Sequence, residues 1–262
     1  MSKHDGASNE YKISARVGIL LQGLFYANVL VCFCSLCLGV YLPRIFGVLQ
    51  ILLPIIYFMF EFIDDHFLWY VAEKTRRKLW MSDGYAKLFC KDYTEEYYNN
   101  TIPASILRLA ANSFESAFFT TQISKKMFLG SIIKIVFAIT AFLTVCLSQC
   151  DYRLIALLAQ IIFSGTILLG ACKLVIFYFR VQRIYDEMFR SFITNECALR
   201  RKYLHQFFDL MIEYECLKSF YQLRLSSRIF KKMNAQLTVE WDSIQRKIKY
   251  APSATNGKIE DK

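Results

Sequence analysis

Residues 17–42, VGILLQGLFYANVLVCFCSLCLGVYL, contain no charged side chain. An α-helix rises about 1.5 Å per residue, so roughly 20 residues cross the ~30 Å hydrocarbon core of a bilayer. This stretch is long enough to do so. Because lipid offers the backbone no hydrogen-bond partner, a spanning segment must satisfy its own backbone groups, which favours a helix. The stretch therefore predicts a transmembrane helix, TM1.

Three further apolar blocks follow the first one along the chain. They are residues 45–63, which include Glu61 near their end, residues 128–147, which include Lys134, and residues 154–179, which include Lys173. Short turns join the blocks in pairs, so that TM1 (17–42) pairs with TM2 (45–63), and TM3 (128–147) with TM4 (154–179). The predicted fold is an all-α membrane protein with four transmembrane helices arranged as two hairpins.

The composition of the 262 residues agrees with this prediction. The chain is 55% hydrophobic and 16% aromatic, with a mean hydropathy of +0.29. An ordinary soluble domain has a lower apolar share of about 45–50%. Disordered chains are poor in aromatic and aliphatic residues. The composition therefore argues against both classes.

The basic residues indicate the orientation of the chain. Of the 32 Lys and Arg residues, 28 lie in the N-terminus, in the segment between the hairpins, or in the C-terminal tail, and each short turn holds one. An excess of Lys and Arg marks the cytoplasmic side of a membrane. We therefore expect both termini to lie in the cytoplasm. The predicted cytoplasmic parts are the N-terminus (1–16), a helical insert (64–127), a helical or coiled-coil region (180–250) and a disordered tail (251–262).

The C-terminal region is predicted to be a long helix or a helical bundle. No glycine or proline interrupts residues 171–251, although Ser226-Ser227 is a possible break. Leu223, Phe230, Leu237 and Ile244 recur every seven residues, and a second, imperfect seam runs from Phe220 through Ser227, Asn234 and Trp241 to Ile248. Such seams indicate a coiled coil between subunits or an amphipathic helix packed on its own chain. The sequence leaves both alternatives open.

Two groups of bases in this region are candidate contacts for a phosphate-bearing ligand. Basic clusters attract lipid head groups, nucleotides and nucleic acids, although a basic helix face is often only solvated. The candidates are Arg200, Arg201, Lys202 and His205 in one group and Arg224, Arg228, Lys231 and Lys232 in the other.

The sequence carries no motif of a known catalytic or nucleotide-binding site. The phosphate-binding glycine loops, G-x-S-x-G and H-E-x-x-H are all absent, and the chain has three histidines. Asp64-Asp65-His66 is interpreted as a polar turn at the membrane interface. We therefore expect no enzyme activity, no metal and no cofactor.

Polar residues inside the apolar blocks are candidates for lining a pore, because a charge within a membrane segment usually has a function. Lys134 and Lys173 lie at similar predicted depth near the cytoplasmic side. They either extend to the head groups and pair with Glu61, or form a positive ring that favours anions in an oligomer. The full set of candidates is Lys134, Lys173, Glu61, Asn28, Gln160 and Ser164.

The layout resembles the bacterial four-TM pore-forming effectors of anti-phage conflict systems, known as the S-four-TM class. The local resemblance rests on residues 85–89 (YAKLF), on Asp92-Tyr93 and on residues 122–124 (QIS). It implies a homo-oligomeric inner-membrane channel that a nucleotide or oligonucleotide from a partner nucleotidyltransferase gates, and whose opening depolarises the membrane and arrests growth.

The sequence and the resemblance lead to two hypotheses of function. The first is a gated oligomeric ion channel, for which a tetramer is favoured. Its partners would be the lipid bilayer, further copies of the chain and a nucleotide signal, with no double-stranded nucleic acid. The second is a non-conducting membrane scaffold or sensor that recruits a cytoplasmic partner.

Overall fold

The structure, a computed structural model, describes residues 8–38, 43–90, 98, 102–147, 152, 155, 168–194 and 201–248. Within these residues all regular secondary structure is helical and no strand occurs. In chain order the helices are α1 (Ser8–Leu38), α2 (Pro43–Ile63), a π-helical turn (Asp64–Leu68), α3 (Trp69–Tyr85), α4 (Ile106–Leu147), α5 (Leu168–Thr194), α6 (Arg201–Tyr221) and α7 (Ser227–Lys247). The predicted all-helical class is confirmed for this part of the chain.

Three of the helical stretches are long and apolar enough to cross a membrane: Ser8–Ser35, Arg44–Tyr85 and Ile106–Leu147. They contain most of the first apolar block and all of the second and third. In each of the last two stretches, the most apolar 18 residues contain no buried residue. The fourth block is described only in part, because α5 begins at Leu168 and most of residues 154–167 lie outside the described residues.

Two of these helices extend beyond the predicted spans. Helix α1 begins at Ser8, so residues 8–16 are helical and continue directly into the apolar block. Helix α4 is 42 residues long and runs without a break from the predicted insert into the third block. Pro43 is the first residue of α2, a position that suits proline because the first helical N–H needs no partner within the helix.

The chain divides into two compact units. The first unit comprises Met1–Leu79, Cys90–Glu95 and Phe128–Val175, and the second comprises Trp80–Phe89, Glu96–Met127 and Ile176–Lys262. The second unit, called the bundle below, has an aromatic core. Phe114 stacks on Phe192 with ring centroids 5.1 Å apart and meets the edge of Trp241 at 5.0 Å. Thr120 and the Tyr214 hydroxyl share a buried hydrogen bond of 2.9 Å.

The start of α4 is fixed in the bundle by the end of α3. Arg108 and Asn112 both donate to the Asp83 carboxylate, with 2.8 Å between Arg108 Nη2 and Asp83 Oδ1. The backbone N–H of Ser105 donates to the carbonyl of Gly84 at 3.0 Å. A Cβ at position 84 would overlap the side chain of Leu109, so only glycine allows this close approach of the two segments.

The two predicted seams through residues 220–248 do not lie on one continuous helix. Helix α6 ends at Tyr221 and α7 begins at Ser227, where the Ser226 hydroxyl accepts a hydrogen bond from the Ile229 N–H. The possible break at Ser226-Ser227 is thereby confirmed. Leu237, Trp241 and Ile248 are buried in the bundle core of their own chain, whereas Asn234 is exposed. Of the two alternatives, α7 follows the intrachain one.

Replacing the central tryptophan of the bundle tests this packing. Trp241→Ala removes a fully buried indole and should lower the free energy of unfolding by about 3–5 kcal/mol. The matched control is Val239→Ala on the exposed face of the same helix, which should change it by less than about 0.5 kcal/mol. Thermal unfolding of the full chain in detergent measures both. Equal effects of the two substitutions would contradict the packing.

Candidate functional site

A π-helical turn over Asp64–Leu68 joins α2 to α3 within one uninterrupted helix. The backbone N–H of Trp69 donates to the Asp64 carbonyl, five residues earlier. Asp64-Asp65-His66, which the sequence predicts as a polar turn at the membrane interface, forms one turn of a continuous helix. The chain does not leave the helix here, because the wider hydrogen-bonded turn accommodates these residues. Such π-turns are rare and occur often at functional sites.

Polar side chains around this turn link α1 to the α2–α3 helix, and we call them the Asp64–Glu73 cluster. The Ser14 hydroxyl donates to the Asp64 carboxylate at 2.8 Å, and both residues are buried. The Tyr11 hydroxyl donates to Glu73 Oε1 at 2.6 Å. Arg76 donates to Glu73 Oε2 through both Nε (3.0 Å) and Nη2 (2.9 Å). Two buried carboxylates thus hold α1 beside the turn.

The aromatic residue next to the turn supports the same arrangement. The Tyr11 ring meets the edge of the Trp69 ring at a centroid distance of 5.8 Å. Hydrogen bonds to a carboxylate in a site with little water are stronger than those between neutral groups. The cluster can therefore fix the position and rotation of α1 on the α2–α3 helix. It contains no nucleophile held by a base, so its geometry does not indicate catalysis.

Lys173 of α5 belongs to a second charged group in the first unit. Its ammonium interacts electrostatically with the carboxylates of Glu61 and Asp65, and the Tyr57 hydroxyl donates to Glu61 Oε1 at 3.4 Å. Of the two alternatives for this lysine, the arrangement favours pairing with Glu61 over a free positive charge. The side chain of Lys173 is exposed within the chain.

Lys134 has a different environment in the part of the chain that the structure describes. It is exposed on α4 beside Ile133 and Phe137, which are 70% and 76% exposed. No carboxylate of the described residues forms an ion pair with it. The two lysines, for which the sequence predicts a similar depth, therefore differ, because Lys173 has acidic neighbours and Lys134 is surrounded by apolar side chains.

The remaining pore candidates are less informative. Asn28 is half-buried in α1, and its side-chain oxygen has no hydrogen-bond partner among the described residues. Gln160 and Ser164 lie outside the described residues.

The candidate ligand contacts separate into two regions of the bundle. Arg200 lies outside the described residues, Arg201 and Lys202 lie in α6 but their side chains are not described, and His205 is exposed on α6. Arg224 is half-buried in the loop between α6 and α7, whereas Arg228, Lys231 and Lys232 are exposed on α7. The described members of the second group therefore lie in the loop before α7 and along the first turns of α7.

Acidic side chains are concentrated around the middle of α5. Arg183 pairs with Glu187 at 2.8 Å and lies 3.9 Å from Glu213, and this hydrogen bond and both charges raise the pKa of Arg183. Burial, with the charges of Asp186 and Glu240, raises the pKa of Tyr185 to about 12. Tyr185 therefore stays neutral at physiological pH and acts as a packing residue against Phe114.

Neither a metal centre nor a match to a known protein emerges. Among the described residues no group of three or more His, Cys, Asp and Glu side chains could hold a metal ion. Comparison of the chain with protein-family models, with curated proteins and with solved structures finds no match.

Sequence reasoning missed the Asp64–Glu73 cluster. Ser14 and Tyr11 lie in residues 1–16, whose polar composition predicts a terminus separate from the membrane helices. The available signal was that no proline or glycine separates Ser8 from Val17, so the apolar helix can extend back to include them.

Removal of one carboxylate tests the role of the cluster. Glu73→Ala leaves Arg76 and the Tyr11 hydroxyl without their acceptor, and should lower the free energy of unfolding of the first unit by about 3 kcal/mol. Tyr11→Phe removes one hydrogen bond and should lower it by about 1 kcal/mol. The exposed neighbour Lys74→Ala is the control. Thermal unfolding in detergent measures all three, and a Glu73→Ala protein as stable as the control would contradict the assignment.

Proposed function

We propose that the protein is an integral membrane protein with four spans and that several copies assemble into an ion channel. The three long apolar helices support insertion, because their apolar surfaces find little cover within the chain. Gly23, Gly47 and Gly130 on these helices have open space where a Cβ would lie. Small residues of this kind allow helices of different subunits to approach closely in a bilayer.

The observation that carries the channel proposal is Lys134. A lysine within a membrane helix usually faces a protein interior or a water-filled path, because exposing its charge to lipid is costly. Lys134 lies on α4 among exposed apolar side chains and has no ion-pair partner in the described residues. In an oligomer, copies of Lys134 around a shared path would keep their charge hydrated and would attract anions.

The signal that gates the channel belongs to the same proposal. As an effector of an anti-phage defence system, the channel would respond to a nucleotide made by a partner nucleotidyltransferase, and its opening would depolarise the bacterial inner membrane and arrest growth. The ligand must bind the open and closed states with different affinities. The candidate contacts for it are the bases at the start of α6, of which His205 is exposed.

Conductance through a planar bilayer tests the channel. The purified chain should conduct in the presence of its nucleotide signal, and Lys134→Ala should reduce the preference for anions, read as a shift of the reversal potential in a salt gradient. Ile133→Ala on the neighbouring exposed position is the matched control and should leave the reversal potential unchanged. Lys173→Ala should shift it less, because Glu61 and Asp65 offset that charge. Intact oligomers that remain silent with every candidate nucleotide would refute the proposal.

The orientation is tested separately from conduction. A phosphatase that is active only outside the cytoplasm should be inactive when fused to either terminus and active when inserted just before Pro43 or within residues 148–153. Activity at either terminus would overturn the proposed topology.

A surface on α6 favours the alternative of a membrane scaffold or sensor. Phe208, Ile212 and Phe220 are exposed at intervals that place them along one side of the helix. Exposed apolar stripes of this kind commonly bind another protein. If the chain is a scaffold, Ile212→Glu should abolish capture of the cytoplasmic partner, Gln206→Glu on the same helix should not, and the purified chain should not conduct.

A further inference from the structure

The loop between α6 and α7 and the last residue of α6 contact three residues near the ends of apolar blocks. The backbone N–H of Ser226 donates to the Met127 sulfur at 3.4 Å, and Met127 immediately precedes the third block. The ring of Tyr221, the last residue of α6, meets Phe177 at 5.9 Å, and the guanidinium of Arg180 lies 5.9 Å from the same ring. Phe177 and Arg180 lie on either side of the end of the fourth block. The loop therefore lies where two apolar blocks meet the polar chain.

Helix α7 runs alongside α4, starting from the end of the bundle that contains the loop. Phe119 packs on Phe230 at 6.3 Å, and Phe118 packs on Trp241 at 5.7 Å. Residue numbers fall along α4, from Met127 beside Ser226 to Phe114 beside Trp241, as they rise along α7, so the two helices are antiparallel. The start of α7 thus lies beside the last turns of α4 before Phe128, and the end of α7 lies farther away.

The segments that meet here contain no acidic residue. Residues 116–127, 176–185 and 216–239 hold nine bases and no Asp or Glu. Carboxylates lie outside these segments. Glu187 and Glu213 lie near Arg183, which follows Arg180 by about one turn of α5. The bases in these segments are Lys125, Lys126, Arg180, Arg183, Lys218, Arg224, Arg228, Lys231 and Lys232. Seven of the sixteen bases in residues 180–262 thus lie in segments that contain no acidic residue.

An aromatic side chain accompanies these bases. Phe220 is 77% exposed, whereas Leu223 and Leu225 of the adjoining loop pack against the bundle core. Lys125, Lys126, Arg180 and Arg228 are exposed as well. Exposed aromatic rings next to Lys and Arg are typical of protein surfaces that lie in the interfacial layer of a membrane.

We propose that this end of the bundle is a docking surface for the anionic phospholipid head groups of the cytoplasmic leaflet. The inference rests on the membrane insertion proposed above. A nucleotide carries the same phosphate chemistry, but bases spread over four helices and a loop, with an exposed phenylalanine, fit a surface of head groups better than a single small ligand. Each base near an anionic membrane contributes roughly a fivefold factor in affinity. Held by the lipid surface, the loop would fix the start of α7 at the membrane.

Binding of a short-chain lipid to the full chain tests the docking surface. The protein in neutral detergent is titrated with dioctanoyl phosphatidylglycerol, or with phosphatidylcholine of the same chains, while the unfolding midpoint is followed, because a ligand of the folded state raises it. Phosphatidylglycerol should act at much lower concentration. The combined variant Lys125→Gln, Lys126→Gln, Arg228→Gln should need about a hundredfold more of it. The combined control Arg190→Gln, Arg246→Gln, Lys247→Gln replaces three exposed bases away from this end and should behave as the parent chain.

Two further arms separate the lipid from other sources of phosphate and test the aromatic contact. Inorganic phosphate and adenosine monophosphate at the same concentrations should leave the midpoint unchanged. Phe220→Ala should weaken the response to phosphatidylglycerol, whereas Phe208→Ala on the same helix should not. Equal responses to the two lipids, an equal loss in the control variant, or a response to either free phosphate matching that to phosphatidylglycerol would overturn the inference.

The titration measures neither insertion nor current, so the two proposals can fail separately. A chain that conducts but does not distinguish the two lipids would keep the channel and lose the docking surface. A chain that binds phosphatidylglycerol selectively but never conducts would keep the docking surface and lose the channel.

Discussion

The continuity of two long helices is the constraint on which the rest of the structure depends. Residues 44–85 and 106–147 each form one helical stretch of 42 residues, which joins an apolar half to a polar half. In a bilayer the apolar halves would have to be helical, because the backbone would have no other hydrogen-bond partner there. The polar halves continue the same helices. Near the ends of these halves Arg108 donates to the Asp83 carboxylate, and the Leu109 side chain lies against Gly84.

Those properties that depend on composition along the chain could be predicted from the sequence. The apolar blocks, the helical class and the break before α7 follow from hydropathy, from helix-forming residues and from a capping serine, all of which are local. The pairing of Ser14 with Asp64 could not be predicted, because 50 residues separate them and a serine and an aspartate are common in any polar segment. The π-turn has no sequence signature either, since its five residues suit an α-helix equally well.

The seven-residue spacing of Leu223, Phe230, Leu237 and Ile244 predicts a packed helix face but does not identify what packs against it. The period requires only that one face of the helix is covered. It does not specify whether another subunit or the same chain covers it. In the bundle, residues of the same chain cover α7, and its Trp241 packs against Phe114 and Phe118 of α4. The polar residue of the second seam, Asn234, is then left exposed and has no interface to specify.

The π-turn between α2 and α3 also determines which faces of the helix are aligned. One residue added to a helix rotates everything after it by about 100°, because a full turn takes about 3.6 residues. Trp69 and Glu73 therefore face α1 only because the turn contains its additional residue. Narrowing it to an α-turn would rotate the residues that follow by about a quarter of a revolution and separate Glu73 from Tyr11. The turn in that sense sets the rotation of the polar part of the helix relative to its apolar part.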